Sequence, residues 1–219
     1  MKFEKFLRNI KYAPVQPNTP LEEIANTTLP DDDEFYKRTL YELCTTVPKL
    51  STFGLAAIIN RAVSQMPKEQ AYVNVGVWHG FSFLAGMIHN PDKKCIGIDN
   101  FTQFGSPRDE FLARFNKYKS DNHYFYDMDY VDFFRSFQDR IGFYFYDGEH
   151  SYENQLKGLQ LAEPFFAKDC IVMVDDTNWE APRRATLDFV SASPYQYSVL
   201  LSESHPTFWN GVMILRKEN

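Results

Sequence analysis

Two short acidic segments carry the residue types best suited to chemistry, Asp147-Gly148-Glu149-His150 and Asp175-Asp176. Each follows an apolar run of strand length, Phe143–Tyr146 and Ile171–Val174. Neighbouring strands bring Asp147, Asp175 and Asp176 to one rim of a sheet, where uncompensated like charges raise one another's pKa. A hard divalent cation relieves that repulsion, and an oxygen-only donor set favours Mg²⁺ or Mn²⁺ over zinc. His150 follows Asp147 closely, above the same strand end. An imidazole there is a candidate general base, because its ordinary pKa leaves it neutral yet basic at cellular pH. The plain alternative for the acids is helix capping or direct hydrogen bonding to a ligand.

A second constellation lies upstream, in Asn74-Val75-Gly76-Val77-Trp78-His79-Gly80-Phe81-Ser82. Gly76 permits a tight turn after a strand, and Gly80 lets the next helix pack closely while a ligand nears the backbone. Dinucleotide sites use G-x-G-x-x-G to seat a pyrophosphate. Here the spacing is G-x-x-x-G with Trp78 between, and no Gly-Lys-Ser/Thr follows. The turn therefore suits a ligand without a pyrophosphate. The next strand ends at Ile98-Asp99-Asn100, about 20 residues on, where an acid typically holds ribose hydroxyls. A third ends at Tyr126-Asp127-Met128-Asp129; Met128 and the polar backbone there suit an adenine, and Asp129 suits the cap of a following helix.

The elements that must position these groups alternate. Candidate strands are Tyr72–Val75, Cys95–Ile98, His123–Tyr126, Phe143–Tyr146 and Ile171–Val174, separated by helical segments near Phe81–His89, Pro107–Lys117, Tyr130–Phe137 and Tyr152–Phe165. Ser106-Pro107 reads as a helix opening with a capping hydroxyl. Such alternation predicts a parallel sheet with helices on both faces. Tyr197–Ser202 and Gly211–Arg216 follow as two strands joined by a loop, forming an antiparallel hairpin at one edge. Before the sheet, Leu55, Ile58, Ile59, Ala62, Val63 and Met66 repeat with helical spacing. A helix opening at Asp31 to Asp33 and running to Val47 is expected to bury Phe35, Leu40, Leu43, Cys44 and Val47, and residues 1–30 read as an irregular arm.

Composition narrows the function classes. The net charge is −6 with no local Lys/Arg cluster, which argues against a nucleic-acid partner. No apolar run approaches the roughly 18 residues of a membrane span. The opening segment lacks an apolar signal core, so a cytoplasmic protein is expected. Cys44, Cys95 and Cys170 read as buried thiols rather than a disulfide or metal set.

Across about residues 50–219 these strand ends resemble class I S-adenosylmethionine-dependent methyltransferases, most of all the metal-dependent O-methyltransferase branch with its catechol, caffeoyl-CoA and macrolide-sugar enzymes. The resemblance implies an α/β, Rossmann-like doubly wound, mostly parallel seven-stranded sheet with an antiparallel C-terminal hairpin and helices on both faces. It implies that Asn74, Gly76, Gly80 and Ser82 serve the methionine end of the cofactor and Asp99 its ribose; Asn100, Asp127, Met128 and Asp147 are the further cofactor-site candidates at the same strand ends. It also implies Asp147, Asp175 and Asp176 as ligands of Mg²⁺ or a similar cation. The Asp147-x-x-His150 step is similar to the sugar enzymes, whose corresponding histidine is the base; the lysine of catechol-type enzymes is absent from this segment. Asn74 stands where the family carries Glu or Asp, and Asp176 where catechol-type enzymes often have Asn.

The implied activity is O-methylation of a hydroxyl on a sugar or small metabolite, with Trp179 and Trp209 walling the acceptor pocket. Residues 1–50 match no family and are expected to form a lid or an oligomer contact beside a methyltransferase domain at 51–219. Two rivals are a nicotinamide oxidoreductase, disfavoured by the missing central glycine, and a degenerate binding module, disfavoured by the intact Asp147, His150, Asp175 and Asp176.

Overall fold

A computed structural model describes residues 2–10, 19–30, 33–204 and 208–218. Its centre is one seven-stranded sheet built from β1 (Ala71–Val75), β2 (Lys94–Asp99), β3 (His123–Asp127), β4 (Ile141–Tyr146), β5 (Phe166–Asp175), β6 (Tyr197–Glu203) and β7 (Val212–Lys217). The spatial order is β3-β2-β1-β4-β5-β7-β6. The first five strands run parallel, and β7 inserts antiparallel between β5 and β6. The doubly wound, mostly parallel sheet with its C-terminal hairpin is thus the observed fold. Strand order reverses between β1 and β4, and ligands of such sheets bind outside the carboxyl ends at that point.

Period-two alternation sorts the side chains onto two layers. Tyr72, Phe143, Phe145 and Met173 enter one core with α4 (Phe53–Gln65), α5 (Phe81–Met87) and α6 (Arg108–Tyr118). Val73, Val75, Tyr144, Tyr146 and Val172 enter the other with α7 (Tyr130–Ser136), α8 (Tyr152–Ala162) and α9 (Glu180–Ala192). Because these strands are covered on both faces they read as continuous apolar runs. Local caps fix where helices begin: Thr52 accepts from the Leu55 amide, Asp129 from Val131, and Ser151 from Asn154.

Four expectations change. The segment read as an irregular arm contains α1 (Lys2–Asn9) and α2 (Pro20–Asn26), whose Phe3, Phe6, Leu7 and Ile24 join the first core. Asp31 and Asp32 lie outside the described residues, and α3 spans Asp33–Thr46. In α3 Tyr36 is buried and Phe35 exposed, while Leu40, Leu43, Cys44 and Val47 are buried as expected. Ser106 does not cap α6: it has φ +52, and its hydroxyl donates to the Phe101 carbonyl. Helix α9, between β5 and β6, adds an element to the expected set. The three cysteines are free and buried. Among the described residues no helix is long and apolar enough to cross a membrane.

Candidate active site

The sheet register sets the functional side chains level with one another. Val75 pairs with Ile98 and Tyr146, Asp99 with Asp127, and Tyr146 with Val174. Gly76, Asp99, Asp147 and Asp175 therefore sit together at the carboxyl edge, next to the reversal point. They line a cavity of about 380 Å³. Gly76 has φ +84, and a Cβ there would lie 1.9 Å from the Asp147 carbonyl oxygen. Only glycine lets the β1 turn pass this close to β4. At Gly80, φ +97 and the nearby Phe111 ring impose the same choice as α5 packs on α6.

The turn is held by Asp99. One carboxylate oxygen accepts from the amides of Val77 (2.7 Å) and Trp78 (2.8 Å), and the other from Phe101 (2.7 Å). Charge-assisted bonds of this kind are the stronger class. Beneath the turn, Asn74 accepts from the Tyr72 hydroxyl at 3.0 Å and donates to the Gly76 carbonyl at 2.8 Å. Both ends of its amide are thus engaged in shaping the turn. Trp78, Phe101, Phe104, Asp176 and Trp209 all have positive φ without being glycine, and all line the cavity. Such conformations cost on the order of 1–3 kcal/mol each and cluster at functional sites.

Opposite the turn lies the acidic rim. Asp175 and Asp176 are buried, and Oδ1 of Asp175 is buried with no hydrogen-bond partner among the described residues. Burial pushes the Asp175 carboxyl well up, and the charges of Asp147 and Asp176 push it further. Asp147 moves up as well: desolvation and Asp176 outweigh the opposing contact with His150. His150 bridges the acids, its Nε2 lying 3.3 Å from Asp176 Oδ2 and 3.7 Å from Asp147 Oδ1. Burial alone lowers its pKa, but Asp147 and Asp176 reverse the sign and raise it. Three carboxylates, one with an orphaned buried oxygen, have the donor chemistry of a hard-cation site. As placed, they do not converge: among the described residues no group of three His, Cys, Asp or Glu side chains forms a ligand set.

Residues 73–177, which hold both the glycine turn and the acidic rim, match the family model described as a methyltransferase domain. That segment resembles a methyltransferase domain. The chain's fold agrees with solved structures at low sequence identity. A cofactor-bound protein from MTB matches with TM-score 0.63 and 16% identity, covering 94% of this chain and 100% of that one. The SAH-bound methyltransferase of Podospora anserina gives 0.61 and 13% over 93% and 89%, and the O-methyltransferase from Bacillus cereus in complex with SAH gives 0.60 and 12% over 86% and 93%. No curated protein sequence matches the chain.

The cavity wall includes Gly76, Ser82, Asp99, Asn100, Asp147, His150, Asp175 and Asp176. Asn74 and Gly80 stand behind the turn and shape it. Asp127 points elsewhere, pairing with Arg108 at 2.5 Å, and Met128 is exposed outside the wall. The wall continues instead through Asp129 and Tyr130. Their signal was Asp129 itself, which caps α7 and also receives the Asn100 amide at 3.4 Å. His79 turns to Arg114, at 3.2 Å, and is not in the wall. Trp179 and Trp209 are in it, and so are Lys49, Leu50 and Ser51 from the N-terminal segment.

Proposed function

We propose that this chain is an S-adenosylmethionine-dependent O-methyltransferase that acts, with Mg²⁺, on a hydroxyl of a sugar or other small metabolite. What carries the reading is that the glycine turn and the rim holding His150 face one another across a single cavity. The turn offers a close backbone approach at Gly76, and Asp99 and Asn100 offer acceptors at the next strand end. That layout suits a nucleoside joined to an amino acid without phosphates. Ser82 and the 49–51 wall border its amino-acid end; Asp129 and Tyr130 border its base.

The cofactor, when bound, supplies an electrophilic methyl group on a sulfonium. Asp147, Asp175 and Asp176 would hold the cation, which would supply charge compensation and favour an ionised acceptor oxygen. His150 takes the acceptor's hydroxyl proton on Nε2. With that proton removed, the acceptor oxygen would be free to receive the methyl group, the bound cofactor supplying it from its sulfonium and leaving as a neutral thioether. The walls contribute by holding donor and acceptor in line, which removes much of the entropic part of the barrier. The test is incubation with S-adenosylmethionine and acceptors bearing adjacent hydroxyls, with mass spectrometry of the products. A methylated hydroxyl and stoichiometric S-adenosylhomocysteine support the reading. Cofactor binding with methylation only at nitrogen or carbon acceptors overturns it.

A further inference from the structure

The acceptor half of the cavity has a charge and shape that the reaction itself does not require. Carboxylates dominate the wall: Asp99 and Asp129 on the cofactor side, Asp147, Glu149, Asp175 and Asp176 on the rim. Among its described residues the cationic side chains are Lys49 and His150. Lys49 is committed, bonding Glu23 at 2.7 Å and the Ser51 carbonyl at 3.1 Å. His150 is shared between Asp147 and Asp176. A divalent cation on the rim would still leave the six acids in excess. Among the described lining residues no uncommitted cation remains to receive an anionic group.

Two indoles stand at the same rim. Trp179 is 51% exposed and Trp209 45%, a large aromatic area to leave in water. Their placement is built rather than incidental. The amide of Asn178 donates to the Asn210 carbonyl at 2.8 Å, tying together the two loops that carry the tryptophans. Trp179 donates its amide to Asp176, and its ring meets the His150 ring edge-on at 6.0 Å between centroids. Trp209 is held at φ +53, a costly conformation for a bulky residue. Aromatic faces of this kind receive the C–H face of a sugar ring or a cationic group.

Resting on the methyltransferase reading, we infer that the acceptor is a ring-bearing polyol of neutral or positive charge, seated against Trp179 and Trp209, and that a carboxylate or phosphate on that ring excludes it. Amino sugars and neutral glycosides fit; uronates, sugar phosphates and coenzyme A esters do not. Unpaired like charge at such a rim weakens binding by tenfold or more, as a rough expectation.

The experiment uses the full chain saturated with S-adenosylhomocysteine and Mg²⁺, and three probes differing in one substituent: methyl glucoside, methyl glucosaminide and methyl glucuronide. Ligand-observed NMR reads their affinities. The glucosaminide is expected to bind at least as tightly as the glucoside, and the glucuronide about tenfold more weakly than either. Trp179→Ala and Trp209→Ala are each expected to weaken the glucosaminide by roughly three- to tenfold, in line with a lost cation–aromatic contact. Glucuronide binding equal to the others, binding by none of the three, or affinity unchanged in both variants overturns the inference. If S-adenosylhomocysteine itself fails to bind, the methyltransferase reading beneath it is what fails.

Discussion

His150 presents Nε2 to Oδ2 of Asp176 at 3.3 Å. This contact, with Asp147 on the other side, sets the proton affinity of the proposed base. Burial lowers the imidazole pKa, and the two carboxylates more than reverse that. In the metal-free chain, an NMR titration of the His150 ring is therefore expected to give a pKa above the ordinary imidazole value of about 6.5. Asp176→Asn removes one raising charge and is expected to lower that pKa. A base is active when unprotonated, so the rate profile of the Mg²⁺-loaded enzyme is expected to have an ascending limb. His150→Ala is expected to lower kcat by about 10²–10⁴-fold and to abolish that limb, with S-adenosylhomocysteine affinity little changed. Near-native turnover in His150→Ala would falsify the assignment.

Asp99 is predicted to serve both the loop and the cofactor. Its carboxylate accepts three backbone amides, from Val77, Trp78 and Phe101. Asp99→Ala leaves those three part-buried amide donors without their acceptor, a loss of about 1–3 kcal/mol. Calorimetry should show weaker S-adenosylhomocysteine binding and thermal melts a lower Tm. Unchanged affinity would remove Asp99 from the cofactor site.

Gly76→Ala tests the close approach of β1 to β4. The new Cβ meets the Asp147 carbonyl, whereas the same change at Gly105, φ +81, meets nothing within 4 Å. Gly105→Ala carries only the conformational penalty. Gly76→Ala adds a backbone clash, so its loss of stability should exceed that control by more than about 1 kcal/mol, with cofactor binding lost. Equal melting temperatures in the two variants contradict this account of the turn.

Metal removal addresses the rim. Chelation followed by desalting is expected to abolish turnover, and added Mg²⁺ to restore it, because among the described residues the three neighbouring carboxylates have only His150 as a counter-charge. Full activity in rigorously metal-free enzyme would leave His150 as the compensating group and return Asp147, Asp175 and Asp176 to hydrogen-bonding roles.

Much of the sheet was legible because its strands are buried on both faces and end in polar residues. Tyr146-Asp147 and Val174-Asp175 mark strand and site together. What escaped notice depends on contacts distant in sequence. Helices α1 and α2 are too short to be stable alone and are held by Phe3, Phe6 and Ile24 in the core. Helix α9 opens through Pro182, Arg183 and Arg184 and exposes Leu187, which blurs its periodicity. Asp127 stands at a strand end like the other acids, and its pairing with Arg108, 19 residues away, is not visible in the local sequence. Lys49 reaches the cavity wall because buried Glu23 receives it and also accepts the Phe53 amide at the start of α4. No local pattern announces that arrangement.

The central claim is that the cavity between the glycine turn and the acidic rim binds S-adenosylmethionine. Calorimetric titration of the purified chain with S-adenosylhomocysteine, run beside a nicotinamide dinucleotide, tests it most directly. The account predicts saturable one-to-one binding of S-adenosylhomocysteine, weakened in Asp99→Ala, and no heat from the dinucleotide. Binding of the dinucleotide with no response to S-adenosylhomocysteine or S-adenosylmethionine contradicts it.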